Sequence, residues 1–159
     1  MPGLKESLGN LPLFKGLAQD DLDLLAELFH LESYPVGALI FNQGDPADRL
    51  FVLANGRVEI RFKPYDGEAW TVTTIEKGGI FGWSAALGRK TYTSCAICTE
   101  ECKALQAEGE LLRQLIDQHP KTGVVLLDRL ATVIAERLRN THAHVIGLLQ
   151  DGMAPQSER

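Results

Sequence analysis

The stretch Gly78-Gly79-Ile80-Phe81-Gly82-Trp83-Ser84-Ala85-Ala86, followed by Tyr92-Thr93, decides how this chain is read. Glycine reaches positive φ at no steric cost, so Gly78-Gly79 and Gly82 mark a strand end and a tight turn. One short helical turn is expected next, then a return into a strand. Backbone N–H groups at the start of such a turn point outward together and suit an anion.

Working outward, residues His30 to Ala107 read as short apolar runs separated by turns. Candidate strands are His30–Tyr34, Leu39–Asn42, Arg49–Ala54, Val58–Lys63, Trp70–Ile75, Thr91–Thr99 and Cys102–Ala107. Asn55-Gly56 and Asp66-Gly67 are strong hairpin dipeptides. Val58, Ile60 and Phe62 alternate with Glu59, Arg61 and Lys63, the pattern of a half-buried strand. Many short strands at close, even spacing predict a sandwich or jelly roll.

Helical periodicity flanks this region on both sides. Leu22, Leu25, Leu28 and Phe29 share one helical face, and Asp20 and Asp21 crowd the first turn, where the helix dipole favours negative charge. A short helix is predicted over Glu110–Asp117. A longer one runs from Lys121, with an apolar stripe through Leu126, Leu127, Leu130, Val133, Ile134, Leu138, Thr141, Val145, Leu148 and Leu149. That helix is longer than a small β-domain needs, so part of the stripe is expected to meet a second copy of the chain; folding back on its own domain is the other reading. The fold class is therefore α+β, mainly β: an antiparallel jelly roll (a double-stranded β-helix) over about 30–107, flanked by N-terminal helices and by C-terminal helices over about 109–150. Residues 151–159 read as a tail.

At 159 residues the chain suits one domain with a real core. A net charge of −5 argues against nucleic acid as an obligatory partner. No apolar run is long enough for a membrane helix, and the N-terminus lacks the pattern of a signal peptide, so a cytoplasmic location is the expectation. Cys95, Cys98 and Cys102 include a C-x-x-C spacing. On a strand, residues three apart point to opposite faces, so these read as small buried residues rather than metal ligands.

Gly37, Ile40, Gly44, Phe51, Val52, Gly56, Val58, Gly78 and Gly82 fall at spacings that resemble the cyclic-nucleotide-binding domain of bacterial CRP/FNR-type regulators. The resemblance covers about residues 10–150 and includes Glu136-Arg137-Leu138-Arg139-Asn140-Thr141, similar to the family's dimerisation helix. It implies a homodimer joined through that helix. It also identifies the stretch quoted above as similar to the family's phosphate-binding cassette, where a Glu holds the ribose 2′-hydroxyl and an Arg pairs with the cyclic phosphate. Here Trp83 stands at the Glu position and Tyr92 at the Arg position, with Thr93 kept beside it. Indole cannot accept a hydroxyl bond as a carboxylate does, and tyrosine cannot neutralise a phosphate. The usual cyclic nucleotide is therefore not the expected occupant.

A phosphate-bearing or other anionic small ligand remains the expectation, held by Gly82, the amides of Ser84, Ala85 and Ala86, the hydroxyls of Ser84 and Thr93, and a cation from Arg89 or Lys90. Trp83 and Tyr92 either stack on a planar ligand or fill the vacated space. By resemblance, Thr141 contacts the ligand's base and His142 reaches in from the partner chain. Eight residues follow Asp151, too few for the helix-turn-helix module that follows this helix in CRP/FNR-type regulators, so direct DNA binding is not expected of this chain. A ligand-free dimerising module and the excised sensor domain of such a regulator are the competing readings. No nucleophile–base pair, carboxylate pair or metal-ligand set suggests an enzyme.

Overall fold

Leu50-Phe51-Val52-Leu53 is an unbroken apolar run because its strand is covered on both faces, and the rest of the architecture follows from that strand. The computed structural model describes residues 9, 11–64, 67–85, 88–136 and 139. Its strands are β1 (His30–Tyr34), β2 (Leu39–Phe41), β3 (Arg49–Asn55), β4 (Val58–Phe62), β5 (Trp70–Ile75), β6 (Ile80–Phe81), β7 (Cys95–Cys98) and β8 (Cys102–Glu108). They form two four-stranded antiparallel sheets, in the orders β1-β8-β3-β6 and β2-β7-β4-β5. The chain crosses repeatedly between the two sheets, which makes a jelly-roll-like sandwich.

Period-two alternation sorts β3 between two cores. Phe51 and Leu53 meet Phe41, Val58, Ile60, Ile75, Phe81, Ala96 and Cys98 between the sheets. Leu50 and Val52 face the other way, onto a second core with Leu13, Phe14, Leu25, Phe29, Leu112, Leu115, Leu126 and Leu130. That second core is where the helices dock: α1 (Gln19–Leu28), α2 (Gly109–Gln118) and α3, which is helical over 120–136. Phe14 and Phe29 lock its N-terminal side edge to face at 5.3 Å. The Thr122 hydroxyl donates to Asp21, tying α3 to the first turn of α1. A Cβ on Gly123 would lie 2.9 Å from the backbone of Ile116, so the α2–α3 approach depends on that glycine.

The structure divides the apolar stripe on α3 into two faces. Leu126 and Leu130 are buried in the core, whereas Val124 is 66% and Leu127 40% exposed. The rest of the stripe from Leu138 onward lies outside the described residues. No helix among the described residues is long and apolar enough to cross a membrane.

Three details differ from the sequence reading. Ile80–Phe81 forms a short strand on β3, with Phe51 opposite Phe81. The strand expected over Thr91–Thr99 shrinks to Cys95–Cys98, because Thr91 makes only a single bridge with Pro46. Tyr92 instead joins a loop ladder, its N–H donating to Asp45 O and its carbonyl accepting from Gly44 N. Third, Asn55-Gly56 closes no hairpin, since β3 and β4 on either side of it lie in different sheets. Trp83–Ala85 is a hydrogen-bonded turn, with Ala85 N–H donating to Gly82 O at 3.3 Å.

Candidate functional site

Gly82 turns the chain out of β6 with φ of +73°. A Cβ there would sit 2.9 Å from the Phe51 ring and 3.1 Å from Arg49 O, so the backbone passes closer than a side chain permits. The turn that follows is anchored to α2. Ala85 O accepts from Arg113 Nη1 at 2.7 Å, and Gly109 lies so close to Ala85 that a Cβ would meet its carbonyl. Gly109 N–H donates to Asp48 O at 2.8 Å.

Beneath this turn lies a cavity of about 320 Å³. Its walls include the rings of Phe41, Phe62, Trp70, Phe81, Trp83 and Tyr92, with hydroxyls from Thr73, Ser84, Thr93 and Ser94. Ile60, Val72 and Gly82 complete the lining. None of these residues carries a charge.

Tyr92, at the position where the family's arginine is expected, has become part of the wall. It is 4% exposed and stacks on Phe41 with ring centroids 3.8 Å apart. Its hydroxyl donates to Arg49 O at 2.6 Å and accepts from Arg49 N–H at 3.0 Å, substituting for a piece of β-ladder. Burial, ahead of every other influence, pushes its phenol above the ordinary tyrosine range. Trp83 is half-buried, packed against the helix-side core as well as lining the cavity. The two rings thus border the cavity without closing it.

The remaining sequence candidates separate. Gly82, Ser84 and Thr93 line the cavity; Ala85 is buried and Arg89 is exposed, and neither is among its lining residues. Arg89 N–H closes the turn onto Ser84 O at 3.0 Å. Ala86, Thr141 and His142 lie outside the described residues. Two guanidiniums on the flanking strands are engaged elsewhere. Arg49 Nη1 donates to Gln106 Oε1 at 2.6 Å, and Arg61 Nη2 pairs with Glu59 Oε1 at 2.9 Å. The Arg61 bond, then one from Thr71, holds the Glu59 carboxyl below its usual range.

Sequence reasoning missed Phe41, Ile60, Phe62, Trp70, Val72, Thr73, Phe81 and Ser94 as lining residues. The alternation of Ile60 and Phe62 identified a buried face, but nothing in it told core from cavity.

The cysteines sort by strand face. Cys95 is half-buried; Cys98 and Cys102 are buried, and all three are free thiols. Burial first, then a hydrogen bond with Cys102, pushes the Cys98 thiol up to about 12 from 9.0. Its thiolate at neutral pH is much rarer than that of an ordinary cysteine, so Ellman's reagent is expected to modify Cys95 well before Cys98. The native state keeps the Cys98 proton after the unfolded chain has lost its own. This contribution to stability is full below pH 9.0 and is lost as pH rises toward about 12. Urea midpoints measured across that range should fall, and Cys98→Ala should flatten the fall.

Comparison with known proteins agrees with this architecture. A family model described as the cyclic nucleotide-binding domain matches residues 31–119. The CRP-like cAMP-activated global transcriptional regulator of Mycobacterium tuberculosis is 26% identical over 146 residues, which is 92% of this chain and 63% of the relative. The cyclic AMP receptor protein of Thermus thermophilus is 31% identical over 128 residues, 80% of this chain and 57% of the relative. The chain thus spans roughly three-fifths of the length of these curated relatives. A solved structure from Geobacter metallireducens, described as a cyclic nucleotide-binding protein, superposes with a TM-score of 0.75 at 29% identity, covering 87% of this chain and 99% of that one. With the family model spanning more than half of its residues, this chain belongs to the cyclic nucleotide-binding domain family.

Proposed function

We propose that this chain is a small-ligand sensor domain that works as a homodimer, and that it does not take cAMP or cGMP in the family's usual mode. Tyr92 carries the second half of that reading. A buried, doubly hydrogen-bonded phenol stands where a phosphate-pairing cation is expected. Loss of one charge-assisted bond removes on the order of 1.5–3 kcal/mol, about ten- to a hundredfold in affinity. The open cavity supports a ligand-binding role over a ligand-free module, although Tyr92 does fill the arginine's place.

Dimerisation draws support from α3. Val124, Leu127, Ala131 and Ile134 recur at alternating spacings of three and four, a heptad seam distinct from the buried Leu126 and Leu130. Leu138, Thr141, Val145 and Leu148 continue the same spacing in the sequence. The bond from Arg113 to Ala85 O offers a mechanical link from the turn over the cavity to the helices. A ligand works such a link only if it binds one helix arrangement better than another.

Calorimetry and thermal-shift measurements with cyclic, linear and sugar phosphates and with uncharged ring compounds test the sensor reading; no binding in any class would end it. Tight binding of cAMP would overturn the claim about Tyr92. Analytical ultracentrifugation should find a dimer, and Leu127→Glu should weaken it on the order of tenfold or more. An unchanged dimer would place the seam elsewhere.

A further inference from the structure

The walls of the cavity specify a ligand chemistry. Ile60 pairs with Thr73 and Arg61 with Thr71, so Val72 is an extra residue on β5, a bulge that brings Val72 and Thr73 together onto the cavity. Phe62 and Trp70 stand opposite each other, edge to face at 6.0 Å. Glu59 and Arg61 alternate with Ile60 and Phe62, bond each other and are not among the residues lining this cavity. The inner wall is Phe41, Phe81 and Tyr92, and the Tyr92 hydroxyl is committed to the Arg49 backbone. Four hydroxyls, from Thr73, Ser84, Thr93 and Ser94, and the indole N–H groups of Trp70 and Trp83 are the remaining polar side-chain groups among the described lining residues, all of them neutral. A phosphate entering this space finds no described side-chain counter-charge and exchanges its hydration for neutral hydroxyl, indole and amide groups, which leaves its charge uncompensated. An uncharged ring gives up no charge hydration and gains offset or edge contacts with aromatic walls. Hydroxyls both donate and accept, which suits carbonyl or hydroxyl groups on a ring edge. At about 320 Å³ the cavity is at the small end of ligand sites.

We propose that this cavity binds an uncharged planar ring compound, two or three fused rings bearing hydroxyl or carbonyl groups, in preference to a phosphate-bearing one. The proposal rests on the sensor reading above and names its ligand class.

The test uses one ring in two charge states: 2-naphthol and 2-naphthyl phosphate, titrated into the full chain by calorimetry and by NMR of the indole N–H signals. Trp70 and Trp83 are the two tryptophans of the sequence and both line the cavity, so their signals report on it directly. The naphthol should shift both signals saturably, and the phosphate should bind weaker by about tenfold or more. Val72→Phe, with its fold checked by circular dichroism, should abolish naphthol binding by filling the space. Equal or tighter binding of the phosphate overturns the proposal and leaves the sensor reading standing. Failure of both compounds to shift the indoles also overturns it, and the sensor reading is then judged by the wider ligand panel. Naphthol binding that survives in folded Val72→Phe puts the ligand elsewhere and overturns it as well.

Discussion

Tyr92→Ala is expected to destabilise the protein by about 3–5 kcal/mol, the range for deleting a buried aromatic side chain. The ring stacks on Phe41 at 3.8 Å inside the core between the sheets, so its removal leaves a void beside Phe41 and Phe81. Tyr92→Phe separates packing from hydrogen bonding. It keeps the ring but leaves Arg49 N–H and Arg49 O without the hydroxyl that bridges them, at a cost of about 1–3 kcal/mol. Urea denaturation followed by circular dichroism measures both. Since small domains are stable by about 5–15 kcal/mol, the alanine variant should be close to unfolding at physiological temperature. Equal losses for both variants would mean that the ring contributes nothing and the hydroxyl everything. A loss below about 1 kcal/mol for Tyr92→Ala would contradict its burial. The result also bears on function: a residue that holds the loop to β3 is not free to swing out and admit a phosphate.

Gly82→Val is expected to cost about 2–5 kcal/mol and to disturb the cavity. Two effects add. A side chain at positive φ costs about 1–2 kcal/mol, and more when β-branched. The new Cβ also presses on Phe51 and on Arg49 O, and overpacking of this kind costs about 1–3 kcal/mol. Arg49 O already accepts from the Tyr92 hydroxyl, so the strain reaches the wall of the cavity. Chemical denaturation gives the stability change, and the indole N–H signals of Trp70 and Trp83 report whether the cavity has altered. Gly82→Ala should show a smaller loss with the same sign. A neutral Gly82→Val would mean that the turn re-forms with negative φ and that the glycine is dispensable.

The limits of sequence reading show at particular residues. Val58, Ile60 and Phe62 announced a half-buried strand through alternation alone, because a pleated strand has no other way to present one apolar face. Asn55-Gly56 marked a turn for a similarly local reason, and Gly56 has φ of +99°, but the turn carries the chain from one sheet to the other and closes no hairpin, because pairing partners are chosen by distant strands. Thr91–Thr99 looked like one strand but is shorter, since Gly44, Asp45 and Pro46 capture its first residues from a distant part of the chain. The substitutions at 83 and 92 were legible as lost chemistry. Where the two rings go was not, because Phe41, which receives Tyr92, lies fifty-one positions earlier in the sequence.

The sequence by itself determined the family, the β-rich sandwich with helices on either side, and the absence of the cassette's acidic and basic side chains. Each follows from local periodicity, turn chemistry or residue identity, which need no long-range contact to be read. The tertiary structure alone decided that Tyr92 is held in the cavity wall by Phe41 and the Arg49 backbone, that Arg89 is not among the lining residues, and that the described lining is aromatic and uncharged. Those outcomes depend on which distant side chains share a space: Phe41 against Tyr92, Trp70 beside Phe62, a bulge turning Val72 inward. Burial and pairing are properties of the packed chain, so the charge balance of a site appears only once both of its walls are in place.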